Sequence, residues 1–467
     1  MTLNGKRVLV VGLGASGEAA TRLALGEGAT VVVVDAAASS SLLERADPLR
    51  SLGAEVRLGC ADWPGGRFDR VIVSPGIPEN SPWLLEARTR KIPLQSELEL
   101  GWSRRRCRVV AVTGSNGKST AVRLLTDCLC ASGLRAEAAG NIGTPVCEVV
   151  SSGRTLDWLV LEVSSFQLET CFSFQPDIGV LLNIQPNHLD RHPSLEVYRS
   201  LKLRLFAHQE AKDLAILPIG LMEDFQKALP YTLCPTWTFG GPGDAAARFR
   251  YEKGRVLRAG LNPVSLRDTD FDNEVLGLTA AAVAAAAIAC GVEEDGIESA
   301  LRVYQPLPHR MQSVGARAGI RFIDNSKATT LAAMIASLLM TRGPVRLIAG
   351  GLPKETDWSA ARPLLAASVR GVYLIGTAAE SMAVAWADLV PCVLCATLEE
   401  AVARAAREAV CGETVLLAPA CASFDQFRSY AERGERFAKA AADWCAAQES
   451  EKRHERVKVR ARGGITR

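Results

Sequence analysis

No sign of charge dominates this chain of 467 residues: 54 Lys and Arg stand against 51 Asp and Glu, a formal balance of +3. Even that surplus is local. Residues 451–467 carry seven Lys/Arg against two Glu, so the rest of the chain is slightly acidic and lacks the basic field that nucleic-acid binding needs. The tail reads as a contact for an anionic surface or as a solvated end, and we expect a disordered end. Metal and disulfide spacings are missing too. Thirteen cysteines are scattered, and the one Cys-x-x-Cys, Cys392–Cys395, has no second pair or neighbouring histidine to complete a zinc site. Reduced thiols are expected, and with them a cytoplasmic location. The first residues show no basic-then-apolar leader. One uncharged run, Val275–Val292, reaches 18 residues, but eight are alanine and its flanks are Glu274 and Glu293. That predicts a buried helix and no membrane span.

What the chain does contain is alternation of short β-branched runs with helix-like segments, the pattern of parallel sheets covered on both faces. A first block has strands at Val8–Val11, Thr30–Val34 and Arg70–Val73. A second has Arg108–Thr113, Trp158–Glu162 and Ile178–Asn183, ending in the alanine helix. A third has Val345–Ala349, Val372–Ile375 and Thr414–Ala418. "QPLPHRM", Gln305–Met311, is a proline-marked junction. Three α/β domains are expected, with boundaries near 96 and 306.

Two glycine loops follow strands. "VLVVGLGASGEAA", Val8–Ala20, spells Gly12-x-Gly14-x-x-Gly17, and Asp35 closes the next strand. By itself this is the fingerprint of a dinucleotide site. "VVAVTGSNGKSTAV", Val109–Val122, is strand, glycine loop and helix start. Its backbone N–H groups and helix dipole favour phosphate, Lys118 reaches β/γ-phosphates, and Ser119 or Thr120 holds Mg²⁺. The position five before Gly117 is Val112, so this is not a standard Walker sequence. One loop for a nucleotide and another for ATP is unlike a dehydrogenase.

"LEVSSFQLE" (Leu161–Glu169), "NHLDRHP" (Asn187–Pro193), "LPHR" (Leu307–Arg310), "NSKAT" (Asn325–Thr329) and "PACASFDQF" (Pro419–Phe427) stand in the order found in the Mur ligases of peptidoglycan synthesis. With "VSPGIP" (Val73–Pro78) they resemble the D-glutamate-adding branch of that family over about residues 5–445. The resemblance implies a Rossmann-like UDP-binding domain over 1–96, a P-loop-type ATPase domain with a parallel sheet over 97–306, and a Rossmann-like C-terminal domain over 307–450. It implies a cytoplasmic monomer with no nucleic-acid or membrane partner. Its activity would be ATP- and Mg²⁺-dependent ligation of D-glutamate to UDP-N-acetylmuramoyl-L-alanine through an acyl phosphate.

The resemblance also assigns residues. Gly14, Ala15, Ser16, Asp35 and Ser74 would meet UDP, with Asn141 and Gln167 on the muramoyl side. Gly114, Asn116, Gly117, Lys118, Ser119 and Thr120 would hold ATP, together with Asn273, His309, Arg310, Asp324, Asn325 and Lys327. Thr329, Lys354, Ser423, Phe424 and Tyr430 would form the D-glutamate pocket. Lys118, Glu162, His188 and Lys202 would be catalytic, and two Mg²⁺ would rest on Ser119, Glu162, His188 and a carbamylated Lys202. A neutral lysine amine adds CO₂, which turns a cation into an anion with two hard oxygens suited to Mg²⁺. By spacing alone Glu162 also fits a turn cap, Asn141 a turn between glycines, His188 a surface loop and Lys202 a solvated helix. His192 and His208 match no motif and are expected to be structural.

Three departures from the family pattern fall late in the chain. Asp-Ser-Lys-Ala-Thr-Asn reads Asn325–Thr330 with the acid one place earlier, at Asp324. Gly-Gly-Asp-x-Lys reads Gly350-Gly351-Leu352-Pro353-Lys354. His-Asn-x-x-Asn reads Asp272-Asn273-Glu274-Val275-Leu276. They motivate one alternative, an inactive binding or regulatory homologue; within the superfamily the other is another Mur ligase or a folylpolyglutamate-synthetase-like enzyme. The UDP-type first domain opposes the synthetase, and the presence of Lys118, Glu162, His188, Lys202 and Lys327 opposes inactivity.

Overall fold

Short runs rich in β-branched residues, several closed by a glycine or an acid, build three largely parallel sheets among the described residues. The computed structural model describes residues 2–186, 191–258, 260 and 262–462, from 448 onward by backbone alone. They form two compact units, one holding the first two sheets and the other the third, with the division at Tyr304/Gln305 and residues 273–275 grouped with the second.

The first sheet runs Glu55–Leu58, Thr30–Asp35, Arg7–Val11, Arg70–Val73, Leu94–Ser96, all parallel. Strand order reverses beside Arg7–Val11, so the carboxyl ends of Arg7–Val11 and Arg70–Val73 open a crevice of the kind that takes ligands in open α/β sheets. The glycine loop and Ser74 stand at that crevice. The helix Ala15–Gly26 then packs small residues inward, with Gly17, Ala19, Ala20 and Ala24 buried.

The second sheet has nine strands. Its parallel centre places Arg108–Thr113 between Trp158–Glu162 and Ile178–Leu181, and an antiparallel margin is made by Phe249–Glu252, Arg255–Arg258 and Val264–Ser265. Ile178–Leu181 stops two residues short of the expected Asn183. The alanine-rich stretch is a helix, Glu274–Ala289, with ten buried residues. Among the described residues no helix is long and apolar enough to cross a membrane.

The third sheet runs Gln312–Arg317, Ile320–Asp324, Thr414–Leu417, Val345–Gly350, Val369–Ile375, Cys392–Leu394, parallel except for its first pair. The last helix, Tyr430–Arg462, continues through 451–462, where a disordered tail was expected. No Gly or Pro interrupts the chain between Gly434 and Gly463, and its Ala, Glu, Lys and Arg are strong helix formers.

The first two sheets meet through helix Glu97–Trp102, which begins directly after the last strand of the first sheet. Glu97 is 1% exposed. One of its oxygens accepts from the Cys147 N–H at 2.7 Å, and the other has no partner. Burial pushes its carboxyl up to about 7, against the opposing pull of the Cys147 hydrogen bond. The folded protein therefore keeps a proton that the unfolded chain releases near 4.5, and stability falls as pH rises between those two values. Glu97→Gln is expected to gain on the order of 3 kcal/mol over the parent at pH 8 and almost nothing at pH 4.5. Urea midpoints at the two pH values check this, and an equal change at both would refute it.

Candidate active site

At the crevice of the first sheet, the loop after Val11 is shaped by close contacts at Gly12 and Gly17. Gly12 has φ +91, and the Ser74 hydroxyl donates to its carbonyl at 2.9 Å. Gly14 caps the helix that Ala15 and Ser16 begin. Asp35 sits at the end of the neighbouring strand, as a ribose or uridine ligand should. Its oxygens accept from the Leu13 N–H at 2.8 Å and the Ala37 N–H at 2.9 Å. The carboxylate thus braces the glycine loop itself, and a ligand would share it through the remaining lone pairs.

The second loop is the more elaborate. Gly117 caps helix Lys118–Ala131 at φ +82, a left-handed conformation that favours glycine. The Lys118 amine folds back on the carbonyls of Gly114 and Ser115 at 2.8 and 3.1 Å. Ser119, the second residue of that helix, donates its hydroxyl to Glu162 at 2.7 Å, and the other Glu162 oxygen accepts from the Asn141 amide at 2.9 Å. Glu162 is 2% exposed and ends the strand beside the loop. Lys202 comes from helix Leu195–Leu203, 1% exposed, and its amine donates to the Gly114 carbonyl at 2.8 Å. Burial and the nearby Lys118 cation hold Lys202 well below the usual lysine range, with Glu162 acting the other way. The bland alternative for Lys202, a solvated helix lysine, is excluded by this burial. Thr120 follows on the same helix, half-buried. His188 lies outside the described residues.

Two residues that spacing did not single out, Asn183 and Gln185, hold this loop, and a third, Arg191, ties its neighbourhood to the first sheet. The Asn183 side-chain oxygen accepts from the N–H groups of Ser115 and Asn116 at 3.1 and 3.0 Å, and its amide donates to the Asn116 carbonyl. Past the strand's end the backbone stays beside the loop, with the Leu182 N–H on the Thr113 carbonyl and the Ser115 N–H also meeting the Asn183 carbonyl. Gln185 accepts from the Asn116 amide at 2.8 Å. Arg191 donates to the carbonyls of Pro75 and Ile77 and to Glu169, joining the second sheet's loops to "VSPGIP". The only signal for Asn183 and Gln185 was polarity at the end of an apolar run, whereas Arg191 lies inside the "NHLDRHP" motif without having been assigned a role. Gln167 forms a capping box with Ser164, is buried, and leaves its side-chain NH₂ without a partner. His192 is buried against Ser165, Phe166 and Tyr198.

In the second unit, the "LPHR" and "NSKAT" segments meet. His309, at φ +61, pairs its Nδ1 with Asp324 at 2.7 Å, and the Lys327 N–H donates to the His309 carbonyl. Asp324 is fully buried, and its second oxygen accepts from the Ser326 N–H at 2.8 Å. Asn325 is buried as well, bonded to Ser337 and to the Met311 N–H. Asp324 and Asn325, which the resemblance assigned to ATP, are thus both buried and engaged within the core. Arg310 bonds back to the Leu307 carbonyl, and Asn273 immediately precedes the alanine helix.

The Lys327 amine lies 3.8 Å from the centre of the Tyr430 ring. Leu352 and Ala422 exchange a pair of backbone hydrogen bonds, which ties the loop of exposed Lys354 to the loop of buried Ser423 and exposed Phe424. Thr330, where the family has Asn, caps the helix that follows Thr329. Arg433, also unforeseen, is completely buried and donates to Ser326, Cys421 and Ala422, joining two of these segments to the last helix. Burial pulls its guanidinium down to about 10.

Glycine loops at two sheet crevices, one backed by a buried serine–carboxylate–lysine group, define a nucleotide-dependent α/β enzyme that handles phosphoryl groups. The chain matches the Mur ligase middle domain over residues 112–291 and the glutamate ligase domain of Mur ligases over 309–421. It is 37% identical over 454 residues to the UDP-N-acetylmuramoylalanine–D-glutamate ligase of Acidobacterium capsulatum, covering 94% of this chain and 96% of that one. The ligase of the same name from Desulfotalea psychrophila is 38% identical over 447 residues, covering 92% and 94%. The fold is similar to that of a MurF ligase from Thermotoga maritima in complex with ADP, at 18% identity and TM-score 0.60 over 90% of this chain and 96% of that one. A UDP-N-acetylmuramate–alanine ligase from the same organism gives 17% and 0.58 over 94% and 99%. The chain belongs to the Mur ligase family, among its UDP-N-acetylmuramoylalanine–D-glutamate ligases.

Proposed function

We propose that the chain ligates D-glutamate to UDP-N-acetylmuramoyl-L-alanine at the expense of ATP, in peptidoglycan precursor synthesis. The observation that carries this reading is the convergence of Lys118, Ser119, Glu162 and Lys202 on one glycine loop. In the proposed reaction, the γ-phosphoryl of ATP moves to the alanyl carboxylate. The amine of D-glutamate attacks that acyl phosphate, a C–N bond forms, and phosphate leaves with the C–O bond's electrons as the amine gives up its proton. The protein's share is positioning and charge neutralisation along a line of anions. Lys118 would turn from loop carbonyls to phosphate oxygens, and the N–H groups at the start of helix Lys118–Ala131 would take the rest.

The donor set fits Mg²⁺. Ser119 and Glu162 are hard oxygens already in contact, and among the described residues no group of three His, Cys, Asp or Glu competes as a softer site. Bound Mg²⁺ would neutralise charge on the phosphates. An ammonium at Lys202 cannot ligate it, whereas a carbamate there supplies two more oxygens. His188 is proposed as the remaining ligand from its motif. UDP would lie at Gly14, Ala15, Ser16 and Ser74 with Asp35 behind them, and the muramoyl side would use Asn141 and the unpartnered NH₂ of Gln167. D-Glutamate would meet Thr329, Lys354, Ser423, Phe424 and Tyr430, with ATP contacts from Asn273, His309, Arg310 and Lys327. We further propose three domains over 1–96, 97–306 and 307–450, acting as a cytoplasmic monomer.

A phosphate-release panel tests the reading. UDP-N-acetylmuramate and its L-alanyl derivative are each offered with D-Glu, L-Ala, L-Lys and meso-diaminopimelate. Release is expected only with the L-alanyl acceptor and D-Glu together. Equal turnover with another amino acid would move the chain to a different ligation.

A further inference from the structure

The acid that is one place early in "DNSKAT" has a use of its own. Asp324 is 0% exposed, whereas the His309 side chain it holds is 14% exposed. Of the two, only the imidazole is within reach of a ligand. A carboxylate accepts and does not donate, so the 2.7 Å bond calls for a ring proton on Nδ1, and in the neutral ring Nε2 is then the acceptor. The other Asp324 oxygen is spent on the Ser326 N–H. The backbone reserves space for the pair: a Cβ on Gly434 would run into both the His309 ring and the Asp324 carboxylate. His309 itself sits at φ +61, a conformation costly for a side chain with a Cβ unless its surroundings hold it.

Asn325 fits the same rearrangement. The Ser337 hydroxyl donates its proton to the Ala333 carbonyl at 2.7 Å, so it needs a donor on its other side. The Asn325 amide supplies one at 2.7 Å, and an aspartate at 325 would not. The order Asp324-Asn325 is thus demanded by two separate partners, His309 and Ser337.

We propose that Asp324 is a positioning residue that acts through His309. It fixes the Nδ1–H tautomer and the ring plane, so that the imidazole and not the acid meets the nucleotide. This rests on the ATP-dependent reading above.

The test uses the whole protein. With five histidines in the chain, selective ¹⁵N-histidine labelling and a His309→Gln control assign the His309 nitrogens. The parent is expected to show the Nδ1–H tautomer, with Nε2 shifting on addition of a non-hydrolysable ATP analogue. In Asp324→Asn the amide oxygen keeps the Ser326 N–H and its NH₂ faces Nδ1, so the ring is expected to change to Nε2–H. In steady-state assays Asp324→Asn is expected to lower kcat/KM for ATP about ten- to hundredfold, the range for one charged hydrogen bond. KM for the UDP-sugar is expected to stay the same, and the ATP effect to vanish in the His309→Gln background. An Nε2–H tautomer in the parent, no Nε2 shift at saturating nucleotide, or an undiminished Asp324→Asn effect without His309 would each overturn the proposal. Failure of the phosphate-release panel would sink the functional reading instead, and the two NMR measurements would still decide this one.

Discussion

Lys202→Ala is expected to lose about 10²- to 10³-fold in kcat, the scale on which removal of one preorganised electrostatic group is felt. High concentrations of formate or acetate are expected to return part of that rate. The expectation starts from the helix Leu195–Leu203, capped by Ser194, which carries Tyr198 and Lys202 one turn apart on its buried face. The amine stands 4.5 Å from the Tyr198 ring centre and bonds a single loop carbonyl. A buried ammonium with so few acceptors is poorly stabilised. Burial and the Lys118 cation accordingly favour its neutral form, the form that adds CO₂. A carbamate at this place would add two oxygens next to Ser119 and Glu162, so an anionic small acid entering the space left by alanine restores the missing charge. Rescue separates the two roles open to Lys202. A lysine that merely held the Gly114 carbonyl would leave a distorted loop that no carboxylic acid repairs. The parent enzyme should also slow in CO₂-depleted buffer and recover on addition of bicarbonate. Full activity of Lys202→Ala would remove the assignment.

Lys202 also shows where reading a sequence succeeds and where it stops. The family resemblance set it beside Glu162 and the glycine loop, and residues at the ends of neighbouring parallel strands and in the helix that follows are brought together by topology alone. The three-sheet architecture was legible for the same reason, since periodicity and glycine punctuation are local. Competition for hydrogen bonds is not local. Nothing in the spacing says that the carboxylate of Asp35 is used by Leu13 and Ala37, or that Asp324 turns inward to His309 and Ser326. Asn183 and Arg433 act on loops 67 and 107 residues away, with no motif of their own. The last helix was missed because charge was weighed above helix propensity, although Glu, Lys, Arg and Ala favour helix whatever their net charge. His192, set aside for want of a motif, is a packed core histidine.

Gly17→Ala is expected to destabilise the first unit by about 1–3 kcal/mol or more, the range for forcing atoms into a packed site, and to abolish tight UDP-sugar binding. Gly14→Ala, three residues earlier in the same motif, is expected to leave stability unchanged within about 0.5 kcal/mol. The fingerprint treats the two glycines alike, but the geometry does not. An added Cβ at Gly17 would overlap the Gly12 carbonyl oxygen, stand 2.9 Å from that carbonyl's carbon and lie 3.0 Å from the Ser74 hydroxyl oxygen. The carbonyl cannot yield cheaply, because Gly12 is held at φ +91 with its N–H on the Val34 carbonyl and its oxygen accepting from Ser74. Relief therefore requires helix Ala15–Gly26 to move off the sheet, which opens the alanine-lined core beneath it and carries the helix N-terminus away from the diphosphate. At Gly14 the backbone has φ −73, open to any residue, and an added Cβ meets nothing within 4 Å. Any loss from Gly14→Ala should thus appear in KM for the UDP-sugar, through crowding of the phosphate, and not in the thermal midpoint. Thermal unfolding and UDP-sugar titration of both variants decide the matter. Equal midpoints for the two would mean that the helix does not rest on Gly17.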